Sequence, residues 1–398
     1  MLKAGFLMVN LFFLTVMVVI FLVFGLLNFY IGLRGWQFLF QYLPVINRAV
    51  YWAVFWTVSL SYPVARVGRG FFPEKVSWAV TLLGAYWLAA MFYFLQIIVV
   101  ADLLKLADRF FPFVPASVRS HPRYSFYLGV GILVLVAGIV IYGSWNARRP
   151  QIQHYDLTIP KQAGDLQQLH VVMVSDIHLG EIIHNGRLTN MVEMVNRLAP
   201  DVVLLPGDVV DEDIGPFIRQ GMAANFQRLQ AKYGVYACPG NHEYIGSHTD
   251  EVFHYLELGG IRELRDNYVK IADSFYLVGR DDSSRFSHYS KDEQSKPQSL
   301  STILAGVDTS FPLILLKHQP TQLEEAEAAG IDLQLSGHTH QGQMFPNQYI
   351  TSRIFEKDWG YLQKGSLQLI VSSGFGTWGP PIRIGNKPEI VDILITFK

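Results

Sequence analysis

Thirty residues without a charge separate Lys3 from Arg34, and three more charge-free runs follow: 17 residues after Arg48, 26 after Lys75 and 24 after Arg123. No other feature limits the fold so strongly. A helix of about 20 apolar residues spans a bilayer core while satisfying its own backbone hydrogen bonds. The first, third and fourth runs are long enough. The second contains Ser59, Ser61 and Pro63, so a re-entrant or interfacial segment is its alternative. Tyr30, Trp36, Tyr51, Trp52, Trp78, Tyr124 and Trp145 lie near run ends, as interfacial aromatic belts require. The expectation is an all-α transmembrane bundle of about four helices over 1–147. The first run exceeds a signal-peptide core and no small-x-small site closes it, so it reads as an uncleaved helix.

Charge shows where to divide the chain. Residues 1–145 carry ten basic and three acidic side chains, leaving 22 basic and 30 acidic for the remainder. An acidic second half with no basic stripe excludes nucleic acid as a partner. With four spans, six basic residues fall on each side of the bilayer, so the positive-inside rule leaves the side of the second domain open. The single cysteine, Cys238, excludes an intramolecular disulfide. It sits in an apolar run and is expected to be buried as a small hydrophobe.

From 148 to 398 the periodicity alternates between strand and helix. Gln151–Ile159 alternates as a strand and ends at Pro160, so the linker from the last apolar run is only a few residues. Strands are expected at 170–175, 202–205, 234–238, 261–264, 268–271, 275–278, 311–316, 331–335, 367–371 and 390–397. Helices are expected at 188–198, 217–229, 252–258 and 322–329, and 281–299 reads as a polar exposed loop.

Five short motifs punctuate these strands: Asp176-Ile-His178, Gly207-Asp208, Gly240-Asn-His-Glu243, Lys317-His318 and Gly337-His-Thr-His340. Most stand where an apolar run ends, so their side chains can meet at one rim of a sheet. The donors are oxygen and nitrogen without thiolate, which suits Mn, Fe, Zn or Co and argues against a closed structural zinc site. Two carboxylates, an amide and several imidazoles suffice for two cations, which at about 3.5–4 Å apart clamp an in-line displacement at phosphorus. A carboxylate can bridge, and Asp208, central in chain order, is the expected bridge. Asn241 adds an oxygen without charge. His242 is left to protonate or stabilise a phosphate oxygen. Taken singly each residue has a bland reading; Asp208, for instance, can serve as a helix N-cap. The other seven histidines read as surface or capping residues. Gly207, Gly240 and Gly337 each precede a donor, where a side chain would obstruct a tight turn or close approach.

The ordered set resembles the calcineurin-like metallophosphoesterase superfamily, whose pattern is D-x-H, G-D, G-N-H-E/D, a single H and G-H-x-H, over roughly the last 230 residues. The resemblance implies an α/β fold, a two-sheet sandwich flanked by helices, and two divalent metal ions. It places Asp176, His178, Asp208 and His340 on one ion and Asp208, Asn241, His318 and His338 on the other, with His242 as the catalytic histidine. The segment Ser372–Arg383 is similar to a membrane-associated bacterial branch near the lipid A precursor pyrophosphatases, implying a multi-pass protein of the bacterial inner membrane. Its glycine-rich backbone is expected to offer N–H groups to an anion, and Arg383 to bind a second phosphate of the substrate. Trp359, Tyr361 and Trp378 would pack in the core, stack a base or line an acyl groove.

The short tether favours a lipid-linked or amphiphilic phosphate, with the lipid bilayer itself as partner. A UDP-diacylglucosamine-type pyrophosphatase and a soluble-nucleotide phosphodiesterase are the alternatives. A Ser/Thr protein phosphatase fits less well, because Gly207–Asp213 lacks the Arg-Gly that follows the second aspartate in that branch. In another class, a transporter or sensor would use the helices directly. It would need ionisable groups well inside the apolar runs, whereas those present lie near run ends.

Overall fold

The computed structural model describes residues 2–43, 45–68, 71–246, 248–284 and 298–398, without the side chains of 2–13 and 40. The expected loop at 281–299 therefore lies largely outside the described residues. The chain forms two compact units, Met1–Ile141 and Tyr142–Lys398, so the last turn and a half of the helix Tyr124–Ala147 belongs to the second.

Three described helical stretches are long and apolar enough to cross a membrane: Leu14–Leu39 and Glu74–Phe110 in the first unit, and Tyr124–Ala147, which begins there and ends in the second. The second apolar run differs from the four-helix expectation. It is shared between Arg48–Ser59 and Ser61–Val67, each too short to span. Pro63 lacks the N–H that would carry the ladder on from the first helix, and it is tolerated in the first turn of the second, where that N–H needs no partner. Polar contacts also cross the helices: Arg34 pairs with Asp102, Tyr30 donates to Asp102 at 2.6 Å, and Trp87 donates to Asn28 at 2.9 Å.

The second unit holds twelve described strands in two six-stranded sheets. They are β1 Gln151–Ile159, β2 Gln168–Met173, β3 Val202–Pro206, β4 Val235–Cys238, β5 Ile261–Glu263, β6 Asn267–Ile271, β7 Phe275–Gly279, β8 Leu313–Leu316, β9 Leu333–Ser336, β10 Gly360–Lys364, β11 Leu367–Val371 and β12 Glu389–Phe397. One sheet runs β1-β12-β2-β3-β4-β5, the other β10-β11-β9-β8-β7-β6. Strands β2 to β5 are parallel, as are β7, β8, β9 and β11.

Because side chains alternate across a strand, each sheet presents two apolar faces. Val171, Met173 and Leu204 meet Leu277, Ile314, Leu335 and Ile370 between the sheets. The other face of the first sheet, with Val172, Val203 and Leu205, packs under Leu188, Met191, Val192 and Val195 of the helix Asn185–Leu198. The other face of the second sheet, with Leu313, Leu315 and Leu369, packs on Leu300, Leu323 and Ala326. The result is the expected sandwich flanked by helices. Cys238 is buried in the central layer.

One expected helix is broken. In place of one helix over 217–229 there are two, Gly215–Arg219 and Met222–Phe226, separated at Gly221, whose φ is +62°. Glycine tolerates the left-handed conformation that ends the first helix. Strand β10 and the helix Gln348–Ile354 lie in a stretch whose periodicity assigned no element.

Candidate metal centre

The parallel strands deliver their donors from their carboxyl ends, where crevices form in open α/β sheets. Asp176 and His178 follow β2, Asp208 follows β3, Asn241 and His242 follow β4, His318 follows β8, and His338 and His340 follow β9. The backbone turns abruptly at these points. Asp176, His178, Asp208, His338 and His340 all have φ between +48° and +70°. Such conformations are uncommon for residues with a Cβ and persist only where surrounding contacts impose them.

Those contacts are dense. Glu243 is buried and its carboxylate accepts from the backbone N–H groups of Asp208 (3.1 Å), Val210 (3.0 Å) and Gly240 (2.7 Å), tying two donor loops together. Burial, reinforced by the Asp208 charge, pushes Glu243 up to about 7, against the pull of these N–H donors. His338 N donates to Asp176 Oδ1 at 2.9 Å, and His242 N donates to Asp208 Oδ1 at 2.9 Å. The glycine expectation holds in two ways. Gly207 has φ +81°, and a Cβ on Gly337 would overlap Ser175 and the Asp176 carboxylate.

Two donor clusters result. In one, His340 Nε2 lies 3.0 Å from His178 Nε2 and 3.3 Å from Asp176 Oδ1. In the other, His338 Nδ1 lies 2.9 Å from Asn241 Oδ1 and 3.3 Å from His318 Nε2. Asp208 Oδ2 stands between them, 3.7 Å from His178 Nε2 and 3.1 Å from His318 Nε2. Ligands about 2.1 Å from a cation and at right angles to each other lie about 3.0 Å apart, so both clusters have the span of a coordination shell.

Charge points the same way. Burial pushes His178 down to about 3 and His338 to about 4, and holds His340 well below its ordinary value, so these imidazoles are neutral. Burial also opposes charge on His318, but Asp208 overcomes it and holds the ring well above its ordinary value. His318 Nδ1 faces the Pro206 carbonyl at 2.9 Å, which leaves Nε2 toward the donor pocket. The donor set fits two divalent cations.

Beside them opens a cleft of about 650 Å³, lined by Asp208, Asn241, His242, His338 and His340, with Ile245, Ile350, Phe355 and Trp378 on its wall. His242 Nδ1 lies 3.0 Å from Asp211 Oδ1. Burial works against a charge on this ring, but Asp208 and the Asp211 hydrogen bond lift it to about 9. Sequence reasoning gave Asp211 no role; its spacing three residues after Asp208 is the only signal, and many loops share it.

Two expectations for the 372–383 segment need correction. Four of its N–H groups are already engaged and not available to an anion: Ser373 N on Glu389, Gly374 N on Ser372 Oγ, Phe375 N on the Ser175 carbonyl and Gly376 N on the Asp176 carbonyl. Arg383 is fully buried. It donates to the carbonyls of Ser373 (2.7 Å), Gly374 (3.0 Å) and Gly376 (2.7 Å), and its Nη2 lies 3.2 Å from His340 Nδ1. It packs behind the metal donor rather than facing substrate. Trp359 donates to Glu389, whereas Trp378 is exposed at the cleft. Among the remaining histidines, His184 caps its helix by accepting from Gly186 N.

Residues 169–342, which contain every donor and His242, match the family described as calcineurin-like phosphoesterase. Over 282 residues the chain is 31% identical to a Danio rerio protein named "Transmembrane protein with metallophosphoesterase domain", covering 68% of this chain and 63% of that one. The chain thus spans less than two thirds of that relative's length. An Aquifex aeolicus protein named as an uncharacterized metallophosphoesterase is 33% identical over 269 residues, covering 65% of this chain and 98% of its own. A Helicobacter pylori protein of the same description is 30% identical over 267 residues, covering 66% and 69%.

Proposed function

Because the chain belongs to the calcineurin-like phosphoesterase family of metal-dependent phosphoester hydrolases, we propose that it hydrolyses a P–O bond of a lipid-linked or amphiphilic phosphate at a membrane surface. The observation that carries the hydrolytic reading is the position of Asp208 Oδ2 between two donor clusters, with His242 alongside.

One ion would be held by Asp176, His178, Asp208 and His340, the other by Asp208, Asn241, His318 and His338. Bound there, two divalent cations would supply Lewis acidity toward phosphate and acidify a water. The protein's own part is positional and protonic. Asp211 holds His242 through Nδ1 and favours its charged form, leaving Nε2 to donate to a phosphate oxygen or the departing alkoxide. Glu243 fixes the loops of Asp208 and Asn241 relative to each other.

An amphiphilic substrate is supported by the apolar cleft wall of Ile245, Ile350, Phe355 and Trp378, and by the short stretch between Ala147 and β1. The protein is membrane-located, and multi-pass insertion in a bacterial inner membrane is part of the proposal. The test is turnover by purified full-length protein with Mn against lipid phosphates, UDP-linked acylated sugars and nucleotides. Preference for a nucleotide over every acylated phosphate would reject the substrate class. Failure to cleave any P–O bond would reject the reaction.

A further inference from the structure

The helix Gln348–Ile354 beside the metal centre buries none of its residues. Tyr349, Ile350 and Ile354 are 56, 57 and 67% exposed, Phe345 just before it is 44% exposed, and Trp378 across the cleft mouth is 53% exposed. The Phe345 and Tyr349 rings touch, with centroids 6.0 Å apart. Ile350 and Trp378 also line the cleft with Asp208 and His242. Isolated exposed apolar residues are ordinary, but a clustered group of this size at the rim of a polar site marks a binding surface. Seven residues are also too few to hold a helix in water by propensity alone.

We infer that this lip, Phe345–Ile354 with Trp378, is seated in the surface of a lipid bilayer. The occupant is argued from the contacts around residues 382–386. On one flank this loop grips the end of the apolar helix Tyr124–Ala147. Arg383 N donates to the Gly143 carbonyl at 3.0 Å, and Asn146 Nδ2 donates to the carbonyls of Arg383 (3.0 Å) and Asn386 (2.7 Å). On the other flank it carries the lip. Phe345 N donates to the Ile384 carbonyl at 2.9 Å, Ile384 N donates to the Gln343 carbonyl at 3.0 Å, and Gln343 Nε2 donates to the Trp378 carbonyl at 3.1 Å.

The end of that helix also has the chemistry of a membrane boundary. Trp145 is 49% exposed and Arg149 lies over its ring at 4.2 Å, an aromatic and basic pair suited to the headgroup layer. One loop therefore fastens the lip to the helix end where the chain leaves the bilayer. Arg353, exposed on the lip helix, donates from Nη1 to the Tyr349 carbonyl at 2.6 Å, which sets its charge beside the apolar side chains, where anionic headgroups would attract it.

Docking of the lip stands independently of the hydrolytic reading; only its consequence rests on that reading. With the lip inserted, a phosphate at headgroup depth would reach His242 while its acyl chains stay in the membrane.

The test uses the full-length, Mn-loaded protein in nanodiscs of phosphatidylcholine and phosphatidylglycerol. A single environment-sensitive fluorophore is placed by Ile354→Cys or, separately, Tyr349→Cys; the native Cys238 is buried. A control label replaces Asp273, whose side chain is 98% exposed on the β6–β7 turn, at the strand ends away from the metal donors. Labels at 349 and 354 should shift to the blue and lose most emission to doxyl-labelled lipid, while the label at 273 does neither. Water-like emission at 349 and 354, insensitive to doxyl lipid, would overturn the proposal. So would protection that depends on protein concentration and crosslinks position 354 to a second copy. Hydrolysis of bis-p-nitrophenyl phosphate is measured on the same samples. Its absence with lipid quenching intact would reject the hydrolytic reading and leave the docked lip standing.

Discussion

The carboxylate of Asp211 lies 3.0 Å from Nδ1 of His242 and holds that ring in one orientation beside Asp208. Burial alone would lower the pKa of His242, yet the two aspartates raise it to about 9. If His242 acts as a proton donor, activity is retained below that pKa and falls as pH rises through it. Replacing Asp211 by Asn removes one stabilising negative charge, so the alkaline limb of the kcat profile should move to lower pH, by about one unit. The check is a full pH-rate profile of both proteins; superimposable alkaline limbs would remove Asp211 from the mechanism.

Asp208→Asn replaces the shared carboxylate with an amide that carries no charge and offers one oxygen. Turnover should fall by more than about 100-fold, with at least one metal equivalent lost, since even residues that merely support metal ligands are typically worth 10–100-fold. Metal content by mass spectrometry alongside kcat decides it. Chelation of the unmodified protein should give the same loss, reversed by adding Mn.

His242→Ala should separate metal binding from chemistry. His242 also lies close to His178 and Asp208, but its Nδ1 is engaged by Asp211; on the proposed assignment the variant should keep two metal equivalents while kcat falls by roughly 100- to 10,000-fold, the usual range for general acid–base groups. Loss of metal from this variant would make His242 a ligand instead.

Arg383→Met tests the buried guanidinium. In the native protein it satisfies three backbone carbonyls from within the fold. Its removal should destabilise the second unit by about 1–3 kcal/mol through unmet hydrogen-bonding groups and weaken metal retention through His340. KM for a small phosphodiester should not change. A raised KM with unaltered thermal stability would return Arg383 to the substrate.

The donor types were legible because chemistry restricts them. A site of carboxylates, one amide and imidazoles must write Asp, Asn and His into the chain, and here they stand at the ends of apolar strands. Asp211, Glu243 and Arg383 were not legible in the same way. Each acts through a hydrogen bond to a residue brought near by folding, and an aspartate, glutamate or arginine in a loop has no local mark of such a partner. Arg383 shows the cost. A glycine-rich stretch with an arginine suggested anion binding, but the fold directs those N–H groups and that guanidinium inward.

By itself the sequence determined the division into an apolar, basic first part and an acidic α/β second part, the strand and helix periods, and which oxygen- and nitrogen-bearing side chains end the apolar strands. These are properties of adjacent residues: side-chain type, alternation and charge. Tertiary structure alone decided that Asp208 stands between two clusters, that five donors adopt left-handed backbone, and that an apolar lip shares a loop with the end of a membrane-length helix. Those relations join residues up to about 240 positions apart. They arise when two sheets close face to face, an event driven by burial along whole strands and not encoded at any single site.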